Sequence, residues 1–409
     1  MENGRDVAIL RELARRYAEV AAKPIQDERR DLWRRHNSLE RTRPLMYFRG
    51  GECWSEILAP QLECEDPFYR AHEGWFRRQL FLDEIGDDSV LESWITQQAA
   101  CVLPPHGPWG LEVKRRRTED KHGSWIADPS LKSLDDMDRL AEVHHVIDED
   151  ATARCVQRLR DAVGDILTVN VDRGPAYRVW AADISTQLGY LRGIEQVMYD
   201  MADDPDGLHR LLGRMRDGIL RVHQEAEDAG DWTLCDHENQ AMPYARELAD
   251  PAPNSAPVKR RDLWVFMASQ ELAWVSPEMH WEFMLAYQAP IMTEFGLSAY
   301  GCCEDLTNKI DILRRVPNLR RIAVVPRADV RKSAEQIGAD YVFSWRPNPS
   351  QMMCCGFDRE LIRKVIHDGM EASKGCHVDI TLKDVQTVEN DPTRPREWVR
   401  LVREITDEY

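Results

Sequence analysis

Side chains that could bind zinc stand directly after short apolar runs in the second half of the sequence. His237 and Glu238 follow the run at residues 232–235, and Cys302 and Cys303 follow a later run. Imidazole, carboxylate and thiolate groups are ordinary zinc ligands, and a catalytic zinc site keeps one coordination position open. Because neighbouring residues on an extended chain point to opposite faces, we expect only one of the two thiols to face such a site. The sequence has no CxxC or HExxH spacing, so a hydrogen-bonded histidine and core cysteines are the alternative interpretation.

Other polar residues follow further apolar runs and are suited to acid–base chemistry or to binding a substrate carboxylate. Glu271 ends the most apolar run, where a carboxylate fits general acid–base catalysis, although a salt bridge or a helix cap would also explain it. An arginine guanidinium is planar and pairs well with carboxylates, and an indole offers an aromatic wall. The candidate catalytic residues are therefore Glu271, His237 and Asp329, and the candidate substrate-binding residues are Arg49, Arg327, Trp345, Arg346 and Tyr300.

Buried parallel strands that end in polar clusters would bring these residues together. The apolar runs lie at residues 44–48, 166–171, 232–235, 263–268, 297–300, 321–325, 341–344 and 378–382. Helical stretches separate many of them, and the βα loops of a (β/α) barrel all open on one face. The sequence therefore predicts an α/β fold with one catalytic domain over residues 43–409. Residues 1–42, in which apolar positions recur at three- and four-residue spacing, are predicted to form an N-terminal helical extension.

Composition and charge argue against several classes of function. The 409 residues include 54 lysines and arginines and 71 aspartates and glutamates, which leaves a net charge of −17. A surface this acidic repels nucleic acid, and no apolar stretch approaches the roughly 20 residues of a membrane span. We therefore expect a cytoplasmic enzyme with a small-molecule substrate and with no nucleic-acid or membrane partner. In that compartment the ten cysteines are expected to be reduced thiols, core residues or ligands.

Eight blocks of sequence carry a resemblance to a known family, which is clearest from residue 262 to 349. Three of them are Ser269-Gln270-Glu271, Tyr300-Gly301-Cys302-Cys303-Glu304 and Ser344-Trp345-Arg346-Pro347-Asn348-Pro349, and the others lie at residues 62–66, 86–88, 133–136, 275–279 and 318–321. Through them, residues 43–409 resemble the uroporphyrinogen decarboxylase-like superfamily. The resemblance implies a distorted (β/α)8 TIM barrel, a homodimer and one of two chemistries. One is decarboxylation of tetrapyrrole acetate side chains without a cofactor, and the other is methyl transfer between a corrinoid carrier and a thiol with zinc.

The sequence departs from both chemistries at the positions that carry them. Where the decarboxylases have an arginine-rich motif after the first strand, this chain has a single arginine, Arg49. The histidine of the methyltransferases falls on Gly301 and their first cysteine on Cys303, and their second cysteine falls near Lys383 and Asp384. The resemblance therefore implies a rebuilt metal set of His237, Glu238 and Cys303.

Three interpretations follow from these residues. The first is a methyltransferase that works with a corrinoid carrier protein and with zinc. The second is a cofactor-independent decarboxylase or lyase of a tetrapyrrole or another carboxylated substrate. The third is a barrel that binds a corrinoid or another ligand without catalysis, and a bound corrinoid would colour the purified protein.

Overall fold

Helices and strands alternate along much of the chain, as in other α/β proteins. The computed structural model describes residues 4–117 and 125–409. The strands are β1 (Leu45–Gly50), β2 (Trp94–Gln98), β3 (Lys114–Arg117), β4 (Trp125–Asp128), β5 (Thr168–Asp172), β6 (Trp264–Met267), β7 (Leu297–Tyr300), β8 (Leu319–Val324), β9 (Val342–Trp345) and β10 (His377–Lys383). The helices are α1 (Gly4–Ala21), α2 (Ile25–Asn37), α3 (Trp54–Leu58), α4 (Pro67–Ile85), α5 (Glu149–Val163), α6 (Ser185–Leu191), α7 (Ile194–Asp203), α8 (Pro205–Ala229), α9 (Pro277–His280), α10 (Ala286–Met292), α11 (Ile310–Leu313), α12 (Val330–Ile337), α13 (Pro349–Met353), α14 (Arg359–Ala372) and α15 (Arg394–Thr406). Within these described ranges no helix is long and apolar enough to cross a membrane.

Six strands form one parallel sheet in the order β1-β10-β9-β8-β7-β6, and this sheet curls into a half-barrel. Strands β6, β7 and β9 are buried along their whole length, as expected for parallel strands that are covered on both faces. β2 and β5 pair in parallel apart from this sheet, and β3 and β4 form an antiparallel pair. The α/β prediction is confirmed. Because the six strands run in one direction, their C-terminal ends share one edge.

The prediction of a strand at residues 232–235 is wrong. Residues 232–235 include a turn instead of a strand. The Asp236 carboxylate accepts hydrogen bonds from the backbone N–H (2.7 Å) and from the hydroxyl (3.2 Å) of Thr233. Such local bonds offer the backbone an alternative to a strand ladder. The other predicted runs form β1 and β5 to β10, with ends that shift by at most two residues.

The predicted N-terminal extension contains two helices that pack on the rest of the chain. The apolar stripe of α1 is buried, as the periodicity indicates, and it includes Leu10, Leu13, Ala14 and Tyr17. The Tyr17 ring lies 5.0 Å from the ring of Trp75 in α4. In α2 the Trp33 indole is fully buried and donates to the carbonyl of Asp88 at 2.7 Å. Both helices therefore bury their apolar side against residues of the following segment.

One face of β10 is polar along its length. Asp379, Thr381 and Lys383 alternate with apolar residues, so they point to the same side of the strand. Asp379 lies near the start of β10, is fully buried, and pairs with Arg321 of β8 (2.8 Å) and His36 of α2 (3.2 Å). Lys383 ends the strand at the edge where the six C-terminal ends meet. This face thus carries a buried ion pair at one end and a lysine at the other.

Candidate active site

A cavity of about 630 Å³ lies where the C-terminal ends of the strands meet. Arg49 and Gly50 at the end of β1, Lys383 at the end of β10, and Cys302 and Cys303 after β7 line it. The lining also includes Trp54, Arg78, Trp180, Gln240, Met242 and Gln270. A concave space of this size with a few convergent polar groups is the usual form of a small-molecule site.

The polar groups of the cavity converge on two adjacent thiols. The Lys383 ammonium (Nζ) donates to Cys302 Sγ at 2.9 Å, and the sulfurs of Cys302 and Cys303 lie 3.4 Å apart. Asp384 holds the same ammonium, with 3.2 Å between Lys383 Nζ and Asp384 Oδ2. Cys302 is only 4% exposed, and charge interactions are stronger in such a shielded place than in water.

These contacts favour the thiolate form of Cys302. The Cys303 S–H is placed to donate to the Cys302 sulfur, and this hydrogen bond, with the positive charges of Lys383 and Arg346, lowers the pKa of Cys302 below its usual range. The pKa of Cys303 is raised, because the same hydrogen bond holds its proton. The thiolate is the reactive form of cysteine, so the pair offers one nucleophile and one neutral thiol.

A buried carboxylate holds the turn that carries the thiols. Glu304 is fully buried and accepts the backbone N–H groups of Cys302 (2.8 Å), Cys303 (2.9 Å) and Ser269 (2.7 Å). Because Ser269 follows β6 and Glu304 follows β7, this side chain ties two strand ends together. Hydrogen bonds to an ionised carboxylate are stronger than neutral ones, so Glu304 fixes the position of both sulfurs.

Gly301 leaves no room for the histidine that the resemblance places at this position. Its φ angle is +101°, and a Cβ atom would lie 2.7 Å from Leu306 Cδ1 and 3.0 Å from Ala323 Cβ. A side chain here would therefore strain the backbone and collide with its neighbours. The glycine allows the turn that places Cys302 against Lys383.

Two arginines add positive charge to the cavity. Arg49 Nη1 is buried with no hydrogen-bond partner in the described part of the chain, and the Arg78 guanidinium of α4 lies 5.2 Å from the Trp54 ring. Because a guanidinium pairs well with carboxylates, both arginines fit an acidic substrate, and Arg49 is a predicted substrate-binding residue that lies in the cavity.

His237 and Glu238 do not complete a ligand set with Cys303. His237 Nδ1 accepts the backbone N–H of Trp264 (3.1 Å), so Nε2 carries the proton and donates to the carbonyl of Ala249 (3.2 Å). Burial lowers the pKa of His237 to about 4. Across residues 4–117 and 125–409, no group of three or more His, Cys, Asp or Glu side chains is placed to hold a metal ion. The residues present do not fit a zinc site in this arrangement, and zinc stays a prediction.

Glu271 and Tyr300 lie outside the cavity wall. Glu271 accepts a hydrogen bond from the Ser185 hydroxyl at 2.6 Å, and burial raises the pKa of its carboxyl group. The Tyr300 side chain is 1% exposed, and its hydroxyl donates to Gln288 Oε1 at 2.8 Å. Both side chains are therefore fixed by neighbours in the protein, and their predicted roles toward a substrate stay predictions.

Trp345, Arg346 and Arg327 lie in three different settings. Trp345 is buried directly against Gly369 of α14, where a Cβ atom would collide with its ring. Arg346 is buried and donates to the carbonyl oxygen of Cys302, so it contacts the turn that carries the thiols. Arg327 is exposed. Of these three predicted substrate-binding residues, Arg346 is the one that touches the candidate site.

Asp329 is the N-cap of α12: its Oδ1 atom accepts the backbone N–H of Lys332 at 3.0 Å. Loss of an N-cap side chain costs about 1 kcal/mol. We therefore expect Asp329→Ala to lower the free energy of unfolding, measured by urea denaturation, by about 1 kcal/mol and to leave the alkylation rate of Cys302 unchanged. Asp329→Asn keeps an acceptor oxygen and should restore most of the stability. Slower alkylation in both variants would instead place Asp329 in the reactive site.

The sequence predictions include Cys302 as a possible zinc ligand but give no site role to Lys383, Glu304 or Arg78, although all four residues contribute to this arrangement. Lys383 does carry a usable signal, since it is a polar residue at the end of an apolar run, as Arg49 is. Glu304 and Cys302 belong to a polar cluster whose internal contacts no spacing reveals. Arg78 is one of several charged residues on α4, and its direction depends on how that helix packs.

No protein-family model matches the sequence, and no curated protein matches it.

Proposed function

We propose that this protein is a methyltransferase in which the Cys302 thiolate takes part directly in methyl transfer with a corrinoid carrier protein. The observation that supports it most is the 2.9 Å contact between Lys383 Nζ and Cys302 Sγ inside the cavity. An ammonium at this distance stabilises the charged form of the sulfur. A thiolate is the protein group best suited to accept a methyl cation equivalent.

The resemblance to the uroporphyrinogen decarboxylase-like superfamily supports the same proposal. It equates residues 301, 303 and 383–384 with the metal-ligand positions of the methyltransferases, and here Cys303 Sγ lies 3.7 Å from Lys383 Nζ and 3.7 Å from Asp384 Oδ2. We propose that the half-barrel belongs to a distorted TIM barrel of that superfamily. The positive charge of Lys383 would then hold the Cys302 sulfur deprotonated, as a metal ion does with a thiol that coordinates it.

In the proposed step, a sulfur lone pair of Cys302 forms the new C–S bond while the methyl group leaves its donor without the bonding electrons. The sulfur becomes a neutral thioether, and the Lys383 ammonium loses its charged partner but keeps its proton. Glu304 fixes the sulfur, and Arg49 and Arg78 would hold an acidic small molecule next to it. Holding the reacting groups in place lowers the entropic part of the activation free energy of methyl transfer.

A second candidate is a decarboxylase or lyase of a carboxylated substrate, and the two arginines in the cavity lining, Arg49 and Arg78, favour it. Arg49 would bind the substrate carboxylates. As CO2 leaves, the bonding electrons stay on carbon, and the Lys383 ammonium would supply the proton. Product masses after incubation with porphyrinogens separate the two candidates, since only decarboxylation removes CO2 from the substrate.

We expect incubation with a free methylcorrinoid to add the mass of one methyl group, in place of a proton, to the peptide that contains Cys302. The reason is that this thiol has a lowered pKa and lines the cavity. Peptide mass spectrometry identifies the modified cysteine. Cys302→Ser should abolish the modification, and Cys376→Ser, at a thiol whose pKa burial raises to about 11, should not. Methylation of other cysteines in preference to Cys302 would overturn the proposal.

A further inference from the structure

Cys302 and Cys303 offer a chemistry that methyl transfer to a single sulfur does not use. Both thiols line the cavity, and their sulfurs lie 3.4 Å apart. Glu304 holds the backbone N–H groups of both residues, so the spacing is fixed by the turn. Two thiols in such an arrangement can bind one atom together.

A disulfide between these two residues is disfavoured. Consecutive Cα atoms are ~3.8 Å apart, whereas disulfides normally span roughly 4.4–6.8 Å between Cα atoms. A bond across neighbours is therefore strained and easily reduced. The pair is expected to persist as a dithiol and to remain available to a ligand.

The 3.4 Å separation suits a single thiophilic atom that bridges the sulfurs. Two bonds of ~2.3 Å, the length of a zinc–sulfur bond, would enclose an angle of roughly 95° at that atom. This angle is narrower than a tetrahedral one and fits a pyramidal centre with three ligands. Trivalent arsenic forms such pyramidal centres with thiolates.

The number of protein side chains that can coordinate the bound atom decides between a metal ion and an arsenical. Asp384 Oδ2 lies 3.7 Å from Cys303 Sγ, but in the part of the chain that the structure describes no group of three His, Cys, Asp or Glu side chains is placed to hold a metal ion. A trivalent organoarsenical needs only two sulfurs, because its carbon substituent is the third ligand. We propose that Cys302 and Cys303 form a binding site for trivalent organoarsenicals.

The binding reaction balances without an oxidant or a reductant. An arsenical of the form R–As=O, the Cys302 thiolate, the Cys303 thiol and one proton from solvent give R–As bound to two sulfurs and one water molecule. Two As–S bonds form, the As=O bond breaks, and the oxygen leaves with the Cys303 proton and the solvent proton. Arsenic stays trivalent throughout. Lys383, 2.9 Å from Cys302 Sγ, supports the first attack by holding that sulfur as a thiolate.

The cavity also fits the organic substituent. Trp54, Trp180 and Met242 offer an apolar wall for an aromatic ring, and Arg49 and Arg78 offer positive charge. Because Arg49 and Arg78 line the cavity, an arsenical that carries a carboxylate should bind more tightly than one that does not.

The test uses phenylarsine oxide and its para-carboxylated analogue on the full-length protein. We expect a one-to-one adduct in the intact mass, reversed by ethanedithiol and not by an equal concentration of a monothiol. Removing either sulfur in Cys302→Ala or Cys303→Ala should weaken binding roughly 100-fold or more, because the chelate is lost. The carboxylated probe should bind more tightly, and Arg49→Met should remove that preference.

The second adjacent pair provides the matched control. Cys354 donates its thiol to the carbonyl oxygen of Thr387 at 3.5 Å, and Cys355→Ala should leave the adduct unchanged. An adduct that survives Cys303→Ala or disappears in Cys355→Ala would overturn the inference. Circular dichroism of each variant checks that it is folded, and Cys303→Ser repeats the test with a side chain of similar size. Cys303→Ala keeps Cys302, so it separates failure of this inference from failure of the proposed methyl transfer.

Discussion

Replacement of Lys383 by methionine is expected to slow the alkylation of Cys302 by iodoacetamide at pH 7 by about tenfold, because an opposite charge within ~4–6 Å shifts a pKa by roughly 1–3 units. Lys383 Nζ lies 2.9 Å from the Cys302 sulfur, and its charge helps to lower the pKa of that thiol. Without the charge the pKa rises, and a smaller fraction of Cys302 is thiolate at pH 7. The reaction rate follows that fraction.

The pH profile distinguishes this electrostatic effect from a structural one. Above pH ~9.5 an ordinary thiol, with a pKa of about 8.5, is already deprotonated, so the wild type and Lys383→Met should react at similar rates there. A distorted turn would slow alkylation at every pH. Peptide mass spectrometry must follow Cys302 separately, since the neighbouring Cys303 is exposed and can react with the reagent as well.

Two lysine variants serve as controls. Lys364→Met removes a positive charge from the surface, where Lys364 pairs with Asp368 at 2.5 Å, and it should leave the profile unchanged. Lys383→Arg keeps the charge and should retain most of the reactivity. An identical slowing in Lys383→Met and Lys364→Met would show that net charge, and not contact with the sulfur, controls the thiol.

The strands could be predicted from sequence because their apolar runs are bounded by polar or turn residues. The run at 297–300 coincides with β7, whose four residues are all buried, and the run at 378–382 lies within β10. Burial on both faces favours apolar residues in such runs, although β10 carries Asp379 and Thr381 on one face. The run at 232–235 looks alike in composition, yet the bonds from Thr233 to Asp236 turn it away from the sheet.

The site was harder to predict because its contacts join residues that are far apart in sequence. Cys302 and Lys383 are on different strand ends, and which of two adjacent thiols faces the lysine depends on the turn at Gly301 and on the bonds of Glu304. Arg49, Cys302 and Cys303, which the sequence places at predicted strand ends, line the cavity, and their predicted roles stay predictions. Strand-end position gave no warning that both nitrogens of His237 bind the backbone.

Replacement of Asp379 by alanine is expected to lower the free energy of unfolding by about 3–5 kcal/mol, the range measured when one partner of a buried ion pair is removed. Asp379 is fully buried and accepts hydrogen bonds from Arg321 (2.8 Å), Ser344 (2.9 Å) and His36 (3.2 Å). These partners lie on β8, β9 and α2, so one carboxylate joins two strands of the sheet to the N-terminal helices. Its loss leaves the Arg321 charge buried without compensation. Urea denaturation at pH 7 measures the difference.

The exposed pair of Arg314 and Asp340 is the matched control, since its two charged groups lie at the same 2.8 Å but their side chains are 36% and 66% exposed. Asp340→Ala should cost less than about 1 kcal/mol, and an equal loss in both variants would contradict the role given to burial.

The pH dependence adds an independent check on the Asp379 pair. Burial alone would raise the pKa of Asp379 above its ordinary value of ~3.9. The Arg321 charge and the His36 hydrogen bond outweigh burial and lower this pKa to about 2. A carboxyl group with a lowered pKa stabilises the fold above its unfolded-state pKa, and this contribution is lost as the pH falls through the folded-state value. The stability difference between the wild type and Asp379→Ala should therefore be largest above pH ~4 and should shrink toward pH 2.

A double variant, Arg321→Met with Asp379→Leu, removes both charges and should be more stable than Asp379→Ala alone, because no uncompensated charge remains buried.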